Sequence, residues 1–251
     1  MLVNKQWLLT PERALVHLAT ATAIVADMHL GYCEARQGAG EAVPVAEFDD
    51  TLAIFELLKS RHRILRVVVA GDLVENRSGL EVASRLHFCL RDMDIELTVV
   101  PGNHDRGLET FCLPVQERVT VGGWRIVHGS GPLPRGRVIV GHYHPALPLD
   151  GRHLPCFLIG RRHMILPAFS QDATGGWVSR RGTSRRNITA PQERDTRASG
   201  GPGIPAWPFD NAEVANWQAV AIVGNSLVAT RPNSRPSLPP ATKAPSVSSR
   251  A

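Results

Sequence analysis

Short apolar runs alternate with amphipathic stretches through the first hundred residues. Residues 45–60 and 78–92 place their apolar side chains at helical spacing, which predicts one helix over each range. Residues 63–70 and 95–100 are short runs rich in aliphatic side chains, which predicts a buried strand over each. Strands that alternate with helices are typical of βαβ units, so this part of the chain predicts an α/β fold.

The hydrophobic pattern changes after residue 105. Residues 118–127 place a Gly-Gly pair between two alternating runs, which predicts a β-hairpin, and residues 156–166 have a similar pattern. Residues 217–230 regain the character of strands, with Gly224 and Asn225 at the turn. We therefore predict a second sheet that is mainly antiparallel.

The composition divides the chain into four segments. Residues 1–170 carry the periodic patterns and form the predicted core, and residues 213–230 return to complete it. Residues 171–212 are rich in Arg, Gly, Ser and Pro without hydrophobic periodicity, which predicts a flexible insertion. Residues 231–251 are rich in Pro and Ser and carry basic but no acidic residues, which predicts a disordered basic tail.

The net charge of +5 is distributed unevenly over the 251 residues. Residues 1–170 hold 18 basic and 18 acidic side chains, so the excess lies entirely in the insertion and the tail. Basic segments of this kind either bind phosphate backbones or are simply solvated, and the sequence leaves both readings open. The charge pattern of the core fits a small substrate as well as a polymer.

The sequence also indicates the cellular setting. The four cysteines are scattered without a CxxC pair, so neither a zinc knuckle nor a disulfide framework is predicted. No apolar run approaches the ~18 residues needed to cross a bilayer, and the first residues lack the apolar core of a signal peptide. We therefore expect a cytoplasmic protein without membrane association.

Polar residues of the metal-binding type follow four apolar runs. These are Asp27-x-His29, Gly71-Asp72, Asn103-His104-Asp105 and His142-x-His144. Residues two apart on a strand share a face, and open α/β sheets bind ligands at the carboxyl ends of their strands. Imidazole, carboxylate and amide donors without a thiolate suit Mn, Fe or Zn better than Ca or Mg. The pattern predicts a metal site at the strand ends.

Together with His128-Gly129, these motifs resemble the calcineurin-like metallophosphoesterases in order and spacing over residues 23–170. Within that superfamily the chain looks most like the small ligase-associated and archaeal phosphoesterases, because of the stretches 26–32, 40–44, 141–146 and 166–169. The resemblance implies a two-sheet β-sandwich flanked by helices, in α/β/β/α layers. It also implies a binuclear site for two divalent metal ions, of which Mn is the best suited and Fe and Zn are alternatives.

The resemblance implies a role for each motif residue. The first metal would be bound by Asp27, His29 and His144, Asp72 would bridge, and the second metal would be bound by Asn103, His128 and His142. His104 would contact a phosphate oxygen or protonate the leaving alkoxide, with Asp105 fixing its orientation. The alternative for His104 is a purely structural hydrogen bond. Arg106 would either reach a substrate phosphate or lie on the surface.

The chain departs from the related group at the residues that follow Asp72. Glu75 and Asn76 stand where the ligase-associated phosphoesterases often carry an aromatic residue and a His. Arg36-Gln37 likewise replaces a frequent Phe-Arg pair. Transfer of the group's substrate preference to this chain is therefore open.

The expected reaction is metal-assisted hydrolysis of a phosphoester, in which two cations roughly 3.5–4 Å apart clamp the attacking and leaving oxygens. The expected substrate is a phosphodiester in a nucleic acid or nucleotide. The resemblance also implies a DNA-repair setting beside a DNA ligase and a helicase. One alternative is a phosphatase or phosphodiesterase for another small molecule or a phosphoprotein. A second alternative is a metal-stabilised scaffold without catalysis.

Overall fold

A computed structural model describes residues 1–43, 48–149, 152–171, 176–177, 208–209, 211–214 and 216–230. Most of the predicted insertion at 171–212 and the whole predicted tail at 231–251 lie outside these residues. No helix among the described residues is long and apolar enough to cross a membrane.

The first sheet has six strands that are neighbours in chain order. They are β1 (Leu2–Val3), β2 (Trp7–Leu9), β3 (Leu15–His17), β4 (Thr22–Val25), β5 (Arg66–Ala70) and β6 (Glu96–Val100). Strands β4, β5 and β6 are parallel, whereas β1 to β4 pair antiparallel. The helices α1 (Tyr32–Gly38) and α2 (Phe48–His62) follow β4, and α3 (Leu80–Asp92) follows β5. The two predicted helices and the two predicted strands are confirmed within a few residues.

The second sheet is built from the later strands. They are β7 (Val119–Val121), β8 (Trp124–Val127), β9 (Val138–Val140), β10 (Pro145–Leu149), β11 (Arg152–Ile159), β12 (His163–Ile165), β13 (Gly176–Trp177), β14 (Gln218–Val223) and β15 (Ser226–Thr230). A short helix, α4 (Asn211–Val214), precedes β14. The three predicted hairpins form β7–β8, β11–β12 and β14–β15. The sheet is nevertheless mixed, because β9 is parallel to both β8 and β12.

The two sheets pack face to face. Along β5, Val68 and Ala70 point toward the second sheet, whereas Val67 and Val69 point toward α2 and α3. This division follows from the two-residue period of a strand. The inner layer between the sheets includes Phe157 of β11, so the core is continuous across both sheets. The predicted two-sheet α/β sandwich is confirmed.

The outer face of the second sheet is covered differently from that of the first. Leu158 and Ala219 point outward from this sheet and pack against Phe209, Val214 and Trp217. These three side chains come from the segment around α4, just before β14. The residues that return after the predicted insertion therefore contribute to the outer layer as well as to the sheet.

Candidate metal centre

All seven predicted metal ligands lie directly after strands, at one end of the sandwich. Asp27 and His29 follow β4, Asp72 follows β5, and Asn103 follows β6 in the first sheet. In the second sheet, His128 follows β8, and His142 and His144 follow β9. Parallel strands end at the same edge of a sheet, so each sheet delivers its polar residues to one side. The packing of the two sheets then brings the two sets together.

One cluster, the Asp27 group, consists of Asp27, His29 and His144, whose ligand atoms all lie within 4.8 Å of one another. The carboxylate of Asp27 is fully buried and accepts the backbone N–H of His142 at 2.9 and 3.0 Å. His144 Nε2 is 3.4 Å from Asp27 Oδ1. Nε2 of His29 is buried and has no hydrogen-bond partner among the described residues.

A second cluster, the His128 group, consists of Asp72, His128 and His142, again with ligand atoms within 4.8 Å of one another. His128 Nε2 is 3.2 Å from Asp72 Oδ2, 3.1 Å from His142 Nδ1 and 2.9 Å from Asn103 Oδ1. Nε2 of His142 is buried and has no partner within the described chain. The predicted ligand Asn103 thus lies against this group.

The two groups lie side by side. Asp27 Oδ1 is 3.6 Å from His128 Nδ1, so a buried carboxylate of one group faces a buried imidazole of the other. Asp72 reaches beyond its own group, because its Oδ1 accepts the backbone N–H of His104 at 3.0 Å. The centre therefore concentrates imidazole and carboxylate donors in one small volume.

The backbone carbonyl of Ala70 helps to orient His128. It lies 3.2 Å from His128 Nδ1 and can only accept a hydrogen bond, so Nδ1 carries a proton and Nε2 faces the other ligands. Burial lowers the pKa of His128, but its hydrogen bond with Asp72 and the charges of Asp72 and Asp27 outweigh burial and raise it to about 9. A divalent cation has to displace the Nε2 proton in order to bind there.

The pKa values of His142 and Asp72, which neighbour His128, are lowered instead of raised. Burial and the positive charge of His128 lower the pKa of His142 to about 4, so this imidazole is neutral at neutral pH, as metal binding requires. Burial raises the pKa of Asp72, but its hydrogen bond and charge interaction with His128 outweigh burial and hold it well below its usual range. Asp72 is therefore an anion at any physiological pH.

Five of the predicted ligands have left-handed backbone conformations. The φ angles are 55° at Asp27, 47° at His29, 50° at Asp72, 65° at His142 and 41° at His144. Each such residue costs roughly 1–2 kcal/mol compared with a right-handed conformation. Strain of this kind persists where the surroundings enforce it, and it concentrates at functional sites. The strained loops thus mark this end of the sandwich independently of the side chains.

Gly71 is packed directly against a ligand. It has a φ of +82°, and a Cβ added there would lie 2.2 Å from His128 Nδ1. Only glycine leaves room for the imidazole at this position. Gly102 is packed in a similar way, since a Cβ added there would lie 2.2 Å from Asp72 Oδ1.

The structure separates the three residues predicted for proton transfer and substrate binding. His104 lies beside the Asp27 group, with its ring centroid 5.1 Å from that of His29. The carboxylate of Asp105 accepts the backbone N–H groups of Gly102 at 2.8 Å and of Val74 at 3.1 Å. Arg106 is exposed at the surface.

The expected orientation of His104 by Asp105 is corrected by these contacts. His104 Nδ1 lies 2.8 Å from the backbone carbonyl of Glu75, which takes the place predicted for the carboxylate. Asp105 faces backbone N–H groups because it closes the loop between β6 and the site. Burial raises the pKa of Asp105, although these hydrogen bonds act in the opposite direction.

Glu75 is a residue at the site that sequence reasoning did not assign. Its Oε2 lies 2.7 Å from His29 Nδ1 and 3.8 Å from His104 Nδ1. Burial raises the pKa of Glu75, but the hydrogen bond and charge of His29 outweigh burial and lower it. The one signal in the sequence was that Glu75 departs from the related group's pattern.

A cavity of about 270 Å³ adjoins the His128 group. Its lining includes Val100, Pro101, Glu117, Val127 and Leu133 together with the buried His128. The other predicted ligands and His104 are not part of this lining.

The residues present fit a pair of divalent cations. The donor set is nitrogen and oxygen without sulfur, and buried Nε2 atoms of His29 and His142 face inward without a partner in the described chain. Buried polar atoms are normally paired, so two unpaired imidazole nitrogens, one in each group, indicate ligand positions.

Comparison with known proteins agrees with this geometry. The calcineurin-like phosphoesterase family matches residues 21–161, which include all of the clustered motifs. The crystal structure of Pseudomonas putida nuclease MPE has the same fold, with a TM-score of 0.59 and 24% sequence identity over 71% of this chain and 90% of that chain. A search of curated proteins found no match. The chain therefore belongs to the calcineurin-like phosphoesterase family and is a metal-dependent phosphoester hydrolase.

Proposed function

We propose that this phosphoesterase hydrolyses phosphodiester bonds in nucleic acids or nucleotides, with two divalent metal ions of which Mn is the best suited. The proposal rests on one observation. The two groups of candidate ligands adjoin each other, and His104 lies at their edge. Fe and Zn remain alternatives on the same donor chemistry.

Under this proposal each group holds one cation. Asp27, His29 and His144 bind the first, Asn103, His128 and His142 bind the second, and Asp72 serves both. When bound, the two cations supply Lewis-acid activation of the phosphoryl group and of the attacking water. The carboxylate of Asp72 reduces the repulsion between neighbouring dications, which a neutral amide would do less well.

His104 is the proposed proton donor. Its backbone N–H is fixed by Asp72, and its Nδ1 donates to the carbonyl of Glu75, so its Nε2 is the nitrogen left to face a substrate. A sugar alkoxide is a poor leaving group, so protonation by a positioned imidazole contributes typically about 10²–10⁴-fold to its departure. Asp105 supports His104 indirectly by holding the loop, and the exposed Arg106 is the residue proposed to contact a phosphate of an extended substrate.

A diester substrate is supported by one further consideration. The similar protein from Pseudomonas putida is a nuclease. A small diester fits the metal centre as well as a polymer does, so the experiment has to compare both.

The test is hydrolysis of bis-p-nitrophenyl phosphate, p-nitrophenyl phosphate and a single-stranded oligonucleotide by the Mn-loaded protein. We expect activity on the diester and the oligonucleotide that is lost in Asp72→Asn. Activity on the monoester alone would instead identify a phosphatase. Binding of metal without hydrolysis of any of the three would favour a narrow small-molecule substrate or the scaffold alternative.

We extend the proposal to a DNA-repair setting, in which the protein acts beside a DNA ligase and a helicase. Only the motif resemblance to the ligase-associated group supports this extension. Quantitative co-purification of the full chain with a ligase and a helicase from its own cells would support it. Survival of a deletion strain at wild-type levels after DNA damage would contradict it.

A further inference from the structure

We infer that Glu75 is a positioning residue that fixes the proton positions of His29 and His104, one through its carboxylate and the other through its backbone carbonyl. The inference deepens the proposed function and rests on it, because it takes His29 as a metal ligand and His104 as the proton donor. It assigns both orientations to one residue.

The carboxylate determines which nitrogen of His29 is free. Glu75 Oε2 lies 2.7 Å from His29 Nδ1, and the two side chains are only 24% and 10% exposed. An ionised carboxylate only accepts hydrogen bonds, so His29 Nδ1 must carry the proton. The lone pair is then on Nε2, which is the buried nitrogen without a partner among the described residues. A carboxylate behind an imidazole ligand is a common way to orient it and to raise its basicity.

The backbone carbonyl acts in the same way on His104. It lies 2.8 Å from His104 Nδ1, and an amide carbonyl cannot donate, so this nitrogen carries the proton of the hydrogen bond. Nε2 of His104 is therefore the nitrogen left to face a substrate. One residue thus directs Nε2 of both imidazoles away from itself.

The backbone around Glu75 is held in register with the His29 loop. The Glu75 N–H donates to the Leu30 carbonyl at 3.0 Å, and the Leu30 N–H donates to the Leu73 carbonyl at 2.9 Å. The His29 N–H donates to the Asp72 carbonyl at 3.0 Å in the same ladder. This short parallel bridge fixes Glu75 directly beside His29, so their contact does not depend on a mobile side chain alone.

A competing reading is that His29, Glu75 and His104 themselves hold a cation, since their ligand atoms lie within 4.8 Å of one another. The geometry favours hydrogen bonds instead. His29 Nδ1 is already at hydrogen-bond distance from the carboxylate, and His104 Nδ1 is at hydrogen-bond distance from a carbonyl. A third metal per chain would therefore be an outcome against the inference.

The experiment compares Glu75→Ala and Glu75→Gln in the full chain by titration with Mn²⁺ in a calorimeter. Removing a carboxylate of this kind typically weakens metal affinity by about 10–100-fold, which is the loss expected for Glu75→Ala. The amide oxygen of Gln can still accept from His29 Nδ1, so Glu75→Gln should recover most of that loss.

Glu213 provides a matched control. Its Oε1 lies 2.9 Å from His163 Nδ1, which gives a second Glu–His pair away from the metal centre. Glu213→Ala should leave the Mn affinity unchanged. An equal loss of affinity in Glu75→Ala and Glu213→Ala would show a general effect on folding and would overturn the inference.

A spectroscopic reading tests both hydrogen bonds directly. Nitrogen NMR of the histidine side chains should show a protonated Nδ1 for His29 and His104 in the wild type. In Glu75→Ala, His29 should lose that preference, whereas His104 should keep it because its partner is the backbone. A protonated Nε2 with a bare Nδ1 on either ring in the wild type would overturn the inference, even if the variants failed to fold.

His29→Ala separates this inference from the proposed function. If His29→Ala keeps wild-type Mn affinity, the proposed ligand set is wrong. If His29→Ala loses affinity while Glu75→Ala keeps it, the ligand set stands and only the role of Glu75 fails.

Discussion

The Asp27 group and the His128 group offer similar ligands but are held in different ways. The Asp27 group is oriented from outside, by the His142 N–H on Asp27 and by Glu75 on His29. In the His128 group the ligands bond to one another, with His128 Nε2 close to Asp72, Asn103 and His142. A cation must therefore replace one ligand contact in the Asp27 group, between His144 and Asp27, but three contacts of His128 in the His128 group. We expect the Asp27 group to bind its cation more tightly.

The largest effect should come from Asp72→Asn, which removes the charge that both groups use. Metal-ion catalysis is worth several kcal/mol, and each 1.36 kcal/mol is tenfold in rate, so we expect kcat for bis-p-nitrophenyl phosphate to fall by about 10³-fold or more. Asp94→Asn is the control, since the side chain of Asp94 is 92% exposed. A variant of Asp72 that kept a tenth of the activity would exclude a shared role for this carboxylate.

Two single substitutions test whether the Asp27 group and the His128 group differ in metal affinity. His29→Ala should weaken the tighter of two Mn²⁺ binding events, whereas His128→Ala should remove the weaker one and leave the tighter almost unchanged. Isothermal titration of each variant measures both constants. The comparison between the groups would be wrong if both variants weakened the same binding event.

Gly71→Ala should damage the His128 group selectively. The added methyl would meet the ring of His128, so we expect weaker binding at the second metal and a fall in kcat of about 10²-fold, as when one stabilising donor is displaced. Gly40→Ala is a matched control, because Gly40 also has a positive φ, of +86°, but an added Cβ would meet no atom within 4 Å. The control should lose only about 1–2 kcal/mol of stability, from the left-handed backbone.

The two glycine variants are compared by their activity and by their stability. Thermal unfolding should shift in a similar direction for both glycine variants, whereas hydrolysis should fall only in Gly71→Ala. Equal activity in the two variants would mean that His128 tolerates displacement, and the close packing at Gly71 would then have no functional meaning.

The smallest effect is expected for Arg106→Ala, because this exposed side chain lies outside both groups. An exposed charge pair contributes about 0.2–1 kcal/mol, so KM for an oligonucleotide should rise by no more than about fivefold, with kcat unchanged. Arg118→Ala is the control for loss of an exposed positive charge. A large fall in kcat would place Arg106 in the reaction itself.

The strands and helices with strong periodicity could be predicted from the sequence. The aliphatic run in residues 63–70 and the Gly-Gly turn at 122–123 each indicated the element that forms. Strands β1, β2 and β3 were not predicted, because each has only two or three residues and pairs through tertiary contacts. The parallel pairing of β9 was also missed, because the local pattern does not fix a strand's direction.

The structure brings together the motif residues that the sequence singled out, because they follow apolar strands that end at one side of the sandwich. The motifs did not predict the hydrogen bonds that orient the candidate ligand side chains. The contact of Glu75 with His29 joins residues 46 apart, and that of His142 with Asp27 joins residues 115 apart. Asp105 was expected beside His104 because the two are adjacent in sequence, but adjacent side chains in a turn need not face each other.

The central claim is that two adjoining groups of ligands each hold one divalent cation. Anomalous diffraction from crystals of the full chain loaded with Mn²⁺ tests it most directly. We expect two peaks, one contacted by Asp27, His29 and His144, and the other by Asn103, His128 and His142, with Asp72 touching both. A single peak, or a peak held by His29, Glu75 and His104, would contradict it.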